Sequence, residues 1–447
     1  VTAPRLLART VEVEPGDDRP DRADLLGWLP QGVDPRSVLC WLREGEGLLG
    51  WGRAAVCPAR GPARFAEAER WWQAVVARAD VRDEVRLPGT GLVGFGSFAF
   101  AADSRDGGGL VVPEVLVGRR GGRTWVTTVA EGREPAAPPP APAPGGGGTE
   151  DGPPGTAVSV ADGAVAASGW PRVVAAAIRR IEAGEVGKVV LARDVLATSR
   201  TPLRVDRLLR RLAGRYRATW TFAVDGLVGA TPEMLVRLQH GQVRSRVLAG
   251  TVRRDHDPAP SVTETHPDLE NPHRQDPRLH LVSSDKDLGE HAYAVRSVAE
   301  ALQPHCTTLD VPAEPFVLEL PDVYHLASDL TGELRDGATS LVLAAALHPS
   351  AAVCGTPSEA AGRVITELEG MDRGRYAGPV GWVDAAGDGD WGIALRCGQL
   401  LADRHRMRLF AGGGIVAASD PDAELTETTM KLAAMRHALG VAGPAAS

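Results

Sequence analysis

The sequence predicts a fold that mixes strands and helices, and three observations lead there. Short runs that alternate apolar and polar residues recur through residues 1–134 around one helical stretch. From Trp170 an amphipathic helix leads into a strongly apolar, strand-like run at residues 188–193. Two further helix starts, near residue 285 and after Asp420, each carry a pair of carboxylates three residues apart.

Residues 1–134 are expected to form the N-terminal part of the body. Residues 48–52 (LLGWG) and 125–129 (WVTTV) have strand character, and a helix around residues 65–77 is expected to pack across such strands. Gly89, Gly91 and Gly94 complete a literal GxGxxG, but residues 95–100 alternate like a strand where a dinucleotide site needs a helix. That reading is set aside. Residues 135–155, PAAPPPAPAPGGGGTEDGPPG, cannot bury apolar surface, so 135–168 is expected to be a mobile linker or insertion, of which the body could lose 135–155 without harm. Residues 169–447 then carry the chemistry, as one domain intertwined with the N-terminal part.

In that region Val173, Val174, Ala177, Ile178 and Ile181 share one helix face, and Gly184 and Gly187 end the helix. Lys188 opens the following strand; a lysine there is ordinarily an edge residue that lays its stem on apolar surface. Residues 227–236 form an apolar run broken by Pro232, with Glu233 beside it. The polar loop 255–279 holds His266 and His273, with His280 just beyond, but it offers no rigid element to fix metal ligands. Ser284 or Asp285 can cap a helix buried through Val295, Val298 and Leu302, on which Asp287 and Glu290 share a face. Residues 410–432 combine an apolar run, a glycine loop at Gly412, Gly413 and Gly414, a turn at Asp420-Pro421, and a helix with Glu424, Glu427 and Lys431 on one face. A helix dipole alone favours acidic residues in a first turn. Two such pairs instead suit a hard divalent ion, Mg²⁺, held by oxygen between two parts of the fold.

Composition excludes several classes. The 447 residues are 43% hydrophobic and 5% aromatic with a net charge of −8, and no basic cluster is interleaved with aromatics, so no nucleic-acid partner is expected. Five widely spaced cysteines without CxxC argue against a disulfide framework or a zinc site and for a reducing, cytoplasmic setting. The first residues show no apolar signal region and no window approaches 18 apolar residues, so neither export nor a membrane span is expected. No exposed apolar repeat asks for a partner, and a monomer is expected.

Nine motifs in order carry a resemblance: GKVVLAR, GATPEML, LAGTVRR, SSDKDLGEHAYAV, VYHLAS, LHPSAAVCGTP, YAGPVGW, ALRCGQL and FAGGGIV followed by ELTET and Lys431. Over roughly residues 165–440 the chain resembles the chorismate-utilising enzymes, which include isochorismate synthases, salicylate synthases and the synthase components for anthranilate and aminodeoxychorismate. The resemblance implies one large α+β domain with an internal duplication: antiparallel sheets stacked face to face, helices outside, and a Mg²⁺-chorismate site in a cleft. It implies Lys188 as the base that activates water and Glu233 as the general acid. Glu290 and Glu427 would ligate Mg²⁺, with Asp287 and Glu424 holding its waters; Asp287 is shorter than the Glu many relatives carry. Arg396, Tyr376, Lys431 and the backbone at Gly250, Thr251, Gly412 and Gly414 would meet the substrate carboxylates, and His325 would stand near the ring.

Ala352 selects within the family. The resemblance implies Thr at this position in salicylate-forming and amine-adding members, and a run like P-x-A-[LV]-[CS]-G in isochorismate synthases; here Ser350 to Gly355 read SAAVCG. Ser358, Trp382 and Cys397 also depart from the amine-adding pattern, and no N-terminal tryptophan-binding signature is present. The expected reaction is conversion of chorismate to isochorismate, with salicylate formation as the alternative.

Overall fold

Strand alternation sorts the side chains of this chain onto two sheets, antiparallel except where Leu6–Glu12 pairs in parallel with Asp80–Asp83. The computed structural model describes residues 2–13, 25–140, 158–253, 281–282, 284–319 and 323–441, without the side chains of Thr251, Arg253, Asp285, Lys286, Asp287, Glu290 and Val323. In the larger sheet Lys188–Ser199 lies between Val158–Asp162 and Arg406–Ile415. Beyond these come Cys397–Leu400, Leu227–Thr231, Trp220–Val224, Leu39–Arg43, Glu46–Trp51, Val115–Arg120, Arg123–Glu131, Leu6–Glu12 and Asp80–Asp83. The smaller sheet runs Cys306–Asp310, Val323–Leu334, Gln242–Arg253, Met234–Gln239, Gly389–Ile393, Pro379–Asp384, Val93–Phe98, Gly108–Val112, Ala55–Pro58. The N-terminal strands are therefore interleaved with later ones in both sheets.

The sheets stack face to face because each presents large apolar residues to the other. Trp41, Trp220 and Phe222 of the larger sheet share one buried cluster with Phe95, Phe98, Val236 and Trp391 of the smaller. Trp41 Nε1 donates across the gap to Asp390 Oδ2 at 3.3 Å. Full burial of each such side chain contributes about 1.5–3 kcal/mol. On its other face the larger sheet covers Cys40, Leu49, Val228 and Leu409 with the helices Val205–Arg215 and Ala433–Leu439. The helices stand outside the sheets, as the α+β reading requires. The strand Val93–Phe98 follows the GxGxxG directly, and no dinucleotide-type helix begins there.

One expectation needs correction. Val158–Asp162 is an edge strand paired with Lys188–Ser199, not part of a linker; Val158 and Val160 alternate toward the packed face. Residues 135–140 have no regular secondary structure. Residues 141–157 and the loop with His266, His273 and His280 lie outside the described residues.

Candidate active site

The chain passes from one sheet to the other at Pro232 and Glu233. Leu227–Thr231 belongs to the larger sheet and Met234–Gln239 to the smaller, and Pro232, which has no N–H for a ladder, marks the break. The Glu233 backbone is fixed at this crossing. Its N–H donates to Thr231 Oγ1 at 3.2 Å, and its carbonyl accepts from Ile393 N–H at 3.2 Å. The side chain is buried. Burial raises its carboxyl to about 8, against the opposing pull of Lys188 and Lys431. Glu233 therefore holds its proton at neutral pH.

Lys188, Glu233, Gly250, His325, Ala352, Tyr376, Arg396, Gly412, Gly414, Glu424, Glu427 and Lys431 line a single cavity between these elements. Lys188 opens the strand Lys188–Ser199, whose Val190, Leu191 and Ala192 pair with Gly414, Gly413 and Gly412. The three glycines lie within the strand Arg406–Ile415, not in a loop. At Gly412 close approach to backbone demands glycine. A Cβ on Gly412 would stand 2.6 Å from Leu191 O and 3.1 Å from the Tyr376 hydroxyl oxygen, and one on Gly413 would stand 2.9 Å from Glu424 Oε2.

The helix Pro421–Lys431 lies over that glycine strip. Asp420 starts it by accepting from the N–H groups of Asp422 and Ala423 at 3.1 and 2.8 Å, with Pro421 at the first position. Arg193, buried in the strand that begins with Lys188, ties the helix down through Thr428 Oγ1 and Thr429 Oγ1, both at 2.9 Å. Lys431 Nζ donates to Gly412 O at 2.9 Å and pairs with Glu427 Oε1 at 2.5 Å.

On the other side His325 pairs in register with Thr251. Gly250, at φ +81°, takes up the irregularity between Ala249 and Thr251. Burial first, then Arg396 and Lys431, push the His325 imidazole down to about 3, against a hydrogen bond with the Gly250 backbone. The ring is neutral at physiological pH. Tyr376 stacks on Phe410 with centroids 5.1 Å apart and planes 10° from parallel, and burial pushes its phenol up. Arg396 has φ +48°, a left-handed backbone for a non-glycine residue at a cavity wall.

The carboxylates of Glu424 and Glu427 present hard oxygen donors beside Gly413, whose missing Cβ would stand 2.9 Å from Glu424 Oε2 and 3.6 Å from Glu427 Oε1. That chemistry fits Mg²⁺. Among the described residues no cluster of three or more His, Cys, Asp or Glu is arranged for a metal. The helix Asp285–Leu302 exists and packs on the strands through buried Ala294, Val298 and Leu302, while the Asp287 and Glu290 side chains, like that of Thr251, lie outside the description.

Sequence reasoning missed Arg373, which also lines the cavity. It stands three residues before Tyr376, in the stretch that leads into YAGPVGW. It also missed a compositional signal. Lys188, Lys286 and Lys431 are the chain's only three lysines, and two of them face this cavity.

Comparison with known proteins agrees with this geometry. The family model for chorismate binding enzymes matches residues 149–440. Isochorismate synthase DhbC of Bacillus subtilis (strain 168) is 42% identical over 276 residues, 59% of this chain and 66% of that protein, so the match spans about two thirds of the relative. The crystal structure of DhbC from Bacillus anthracis superposes with a TM-score of 0.69 at 30% identity, covering 92% of this chain and 98% of that one. MenF, the menaquinone-specific isochorismate synthase from Escherichia coli, shares the fold, with a TM-score of 0.74 at 23% identity over 98% of this chain and 95% of its own. With the matched region covering the cavity and every strand that lines it, the chain belongs to the family of chorismate-binding enzymes.

Proposed function

We propose that the chain is an isochorismate synthase, isomerising chorismate by adding water at ring C2 while the C4 hydroxyl leaves and the double bonds shift between them. The observation that carries this reading is a buried Glu233 carboxyl, raised to about 8, in one cavity with Lys188 and beside Ala352. Glu233 gives its proton to the departing C4 oxygen, and the amine of Lys188 takes one from the attacking water. Water enters and water leaves, so the sum is an isomerisation with no covalent intermediate. Arg396, Tyr376, Lys431 and the backbone at Gly250, Thr251, Gly412 and Gly414 hold the substrate carboxylates, and His325, as a neutral imidazole, stands near the ring. Ala352 offers the added oxygen no hydroxyl partner, which favours release at the isochorismate stage over further chemistry.

Glu424 and Glu427, joined by Asp287 and Glu290 from the second acidic helix, would hold Mg²⁺. When bound, the ion would offset the charge of a substrate carboxylate and orient the ring. We further propose a monomeric, cytoplasmic enzyme. All five cysteines are buried and none is in a disulfide, and no described helix is long and apolar enough to cross a membrane. The product would suit menaquinone or siderophore synthesis, the two uses that the relatives' names carry. Incubation with chorismate and Mg²⁺, followed by product identification, tests the reading. Isochorismate is expected. Salicylate, an aminated product in ammonia, or full turnover in excess chelator would each overturn it.

A further inference from the structure

The strand Lys188–Ser199 has an edge that its neighbour covers only in part. Gly355–Thr356 pairs with Lys188 and Val189, and the Val190 N–H donates to Cys354 O at 2.9 Å. The next two groups on this edge, the Val190 carbonyl and the Ala192 N–H, are buried and need partners. Side chains supply them. Arg373 Nη2 donates to Val190 O at 2.6 Å, and Glu369 Oε1 accepts from the Ala192 N–H at 2.7 Å. The two residues also grip each other, Nε to Oε2 at 2.9 Å and Nη2 to Oε1 at 2.5 Å, with side chains 3% and 0% exposed. Arg373 Nη1 donates to Val353 O at 3.0 Å, its guanidinium lies 4.3 Å from the Phe100 ring centroid, and its own carbonyl accepts from the Tyr376 N–H at 3.1 Å.

We infer that the Glu369–Arg373 pair is a positioning device for the acid–base reaction. It stands in for the missing length of strand and sets the spacing between the strand that begins at Lys188, the segment bearing Ala352, and Tyr376. Arg373 lines the cavity, but four of its five N–H donors are committed to Glu369, Val190 and Val353, so it orients its neighbours more than it binds substrate carboxylate. Its effect on rate arises through Lys188, and the inference in this form rests on the function proposed above. A misplacement of about 1 Å costs on the order of 10²-fold in rate.

The double variant Glu369→Gln/Arg373→Gln keeps the net charge and tests this directly. The expected result is a folded protein by circular dichroism, KM for chorismate within about threefold of wild type, and kcat lower by about 10- to 100-fold. Arg373→Lys keeps the charge without the planar fork and should give the same split if the double variant fails to fold. A second readout needs no turnover. With three lysines in the chain, reductive ¹³C-methylation yields a spectrum assignable by Lys188→Arg and Lys431→Arg. In the double variant the Lys188 signal is expected to move and the Lys431 signal to stay. Wild-type kcat with an unmoved Lys188 signal, or a loss confined to KM, overturns the inference. A wild-type protein that converts no chorismate sinks the functional reading instead, and the Lys188 signal still decides whether the pair positions that amine.

Discussion

Glu233 and Glu369 are both buried glutamates near the same cavity, and their surroundings part them. At Glu233 burial dominates, while Lys188 and Lys431 oppose it only through space, and the carboxyl keeps its proton to about 8. At Glu369 burial pushes the same way, but a guanidinium and a backbone N–H touch the carboxylate oxygens and oppose it. One residue type thus suits proton donation where, among the described residues, no cation makes contact, and anchoring where one does. Burial without a contact partner stores a transferable proton; burial with a bidentate partner stores geometry.

The comparison is tested hardest at the reaction. Glu233→Gln keeps the shape but has no acidic proton, and Lys188→Ala removes the amine; each is expected to lower kcat by about 10²–10⁴-fold. Chorismate affinity should survive in both. Turnover in wild type should also fall above about pH 8, as Glu233 loses its proton, and that limb should vanish in Glu233→Gln. Unchanged turnover in either variant would move the acid or the base elsewhere.

Glu369→Gln should separate the two glutamates through stability. It leaves the buried Arg373 without its counter-charge, a change that typically costs about 3–5 kcal/mol, whereas Glu233→Gln breaks no ion pair. Urea denaturation at pH 7 measures the difference, and equal midpoints for the two variants would erase the distinction.

Glu427 adds a third environment, 33% exposed and paired with Lys431. If it is a Mg²⁺ ligand, Glu427→Gln should weaken the metal dependence of turnover by about tenfold or more, because amide oxygen is a poorer donor to a hard ion. Glu290→Gln should act alike. Wild-type metal dependence in either variant removes that residue from the ligand set.

The comparison also reaches the pH dependence of folding. With the folded value of Glu233 raised from 4.5 to about 8, the folded state holds a proton that the unfolded chain has lost between those values. Stability contributed by this group therefore falls as pH rises from about 4.5 to 8. Glu233→Gln should flatten that slope, and thermal midpoints between pH 5 and 8 would reveal it.

Much of this was legible in the chain alone, because some constraints are local. Helix periodicity from Trp170, the Pro232 break, the Asp420 cap and the spacing of Glu424, Glu427 and Lys431 all act within a turn or two of backbone, so residue order suffices to read them. The ordered motifs likewise named twelve of the residues that line the cavity. Tertiary structure decided what depends on distant neighbours. That Gly412 to Gly414 form a strand and not a loop follows from the partner Lys188–Ser199, nothing nearer in sequence. That Val158–Asp162 belongs to a sheet follows from a strand order no local pattern encodes. Arg373 and Glu369 lie four residues apart, an ordinary helix-end pair by spacing, until Val190, Ala192 and Val353 from far along the chain supply the groups they satisfy. Burial itself is such a property: the sequence contains Glu233, but only the packing of two sheets around it makes that carboxyl an acid at pH 7.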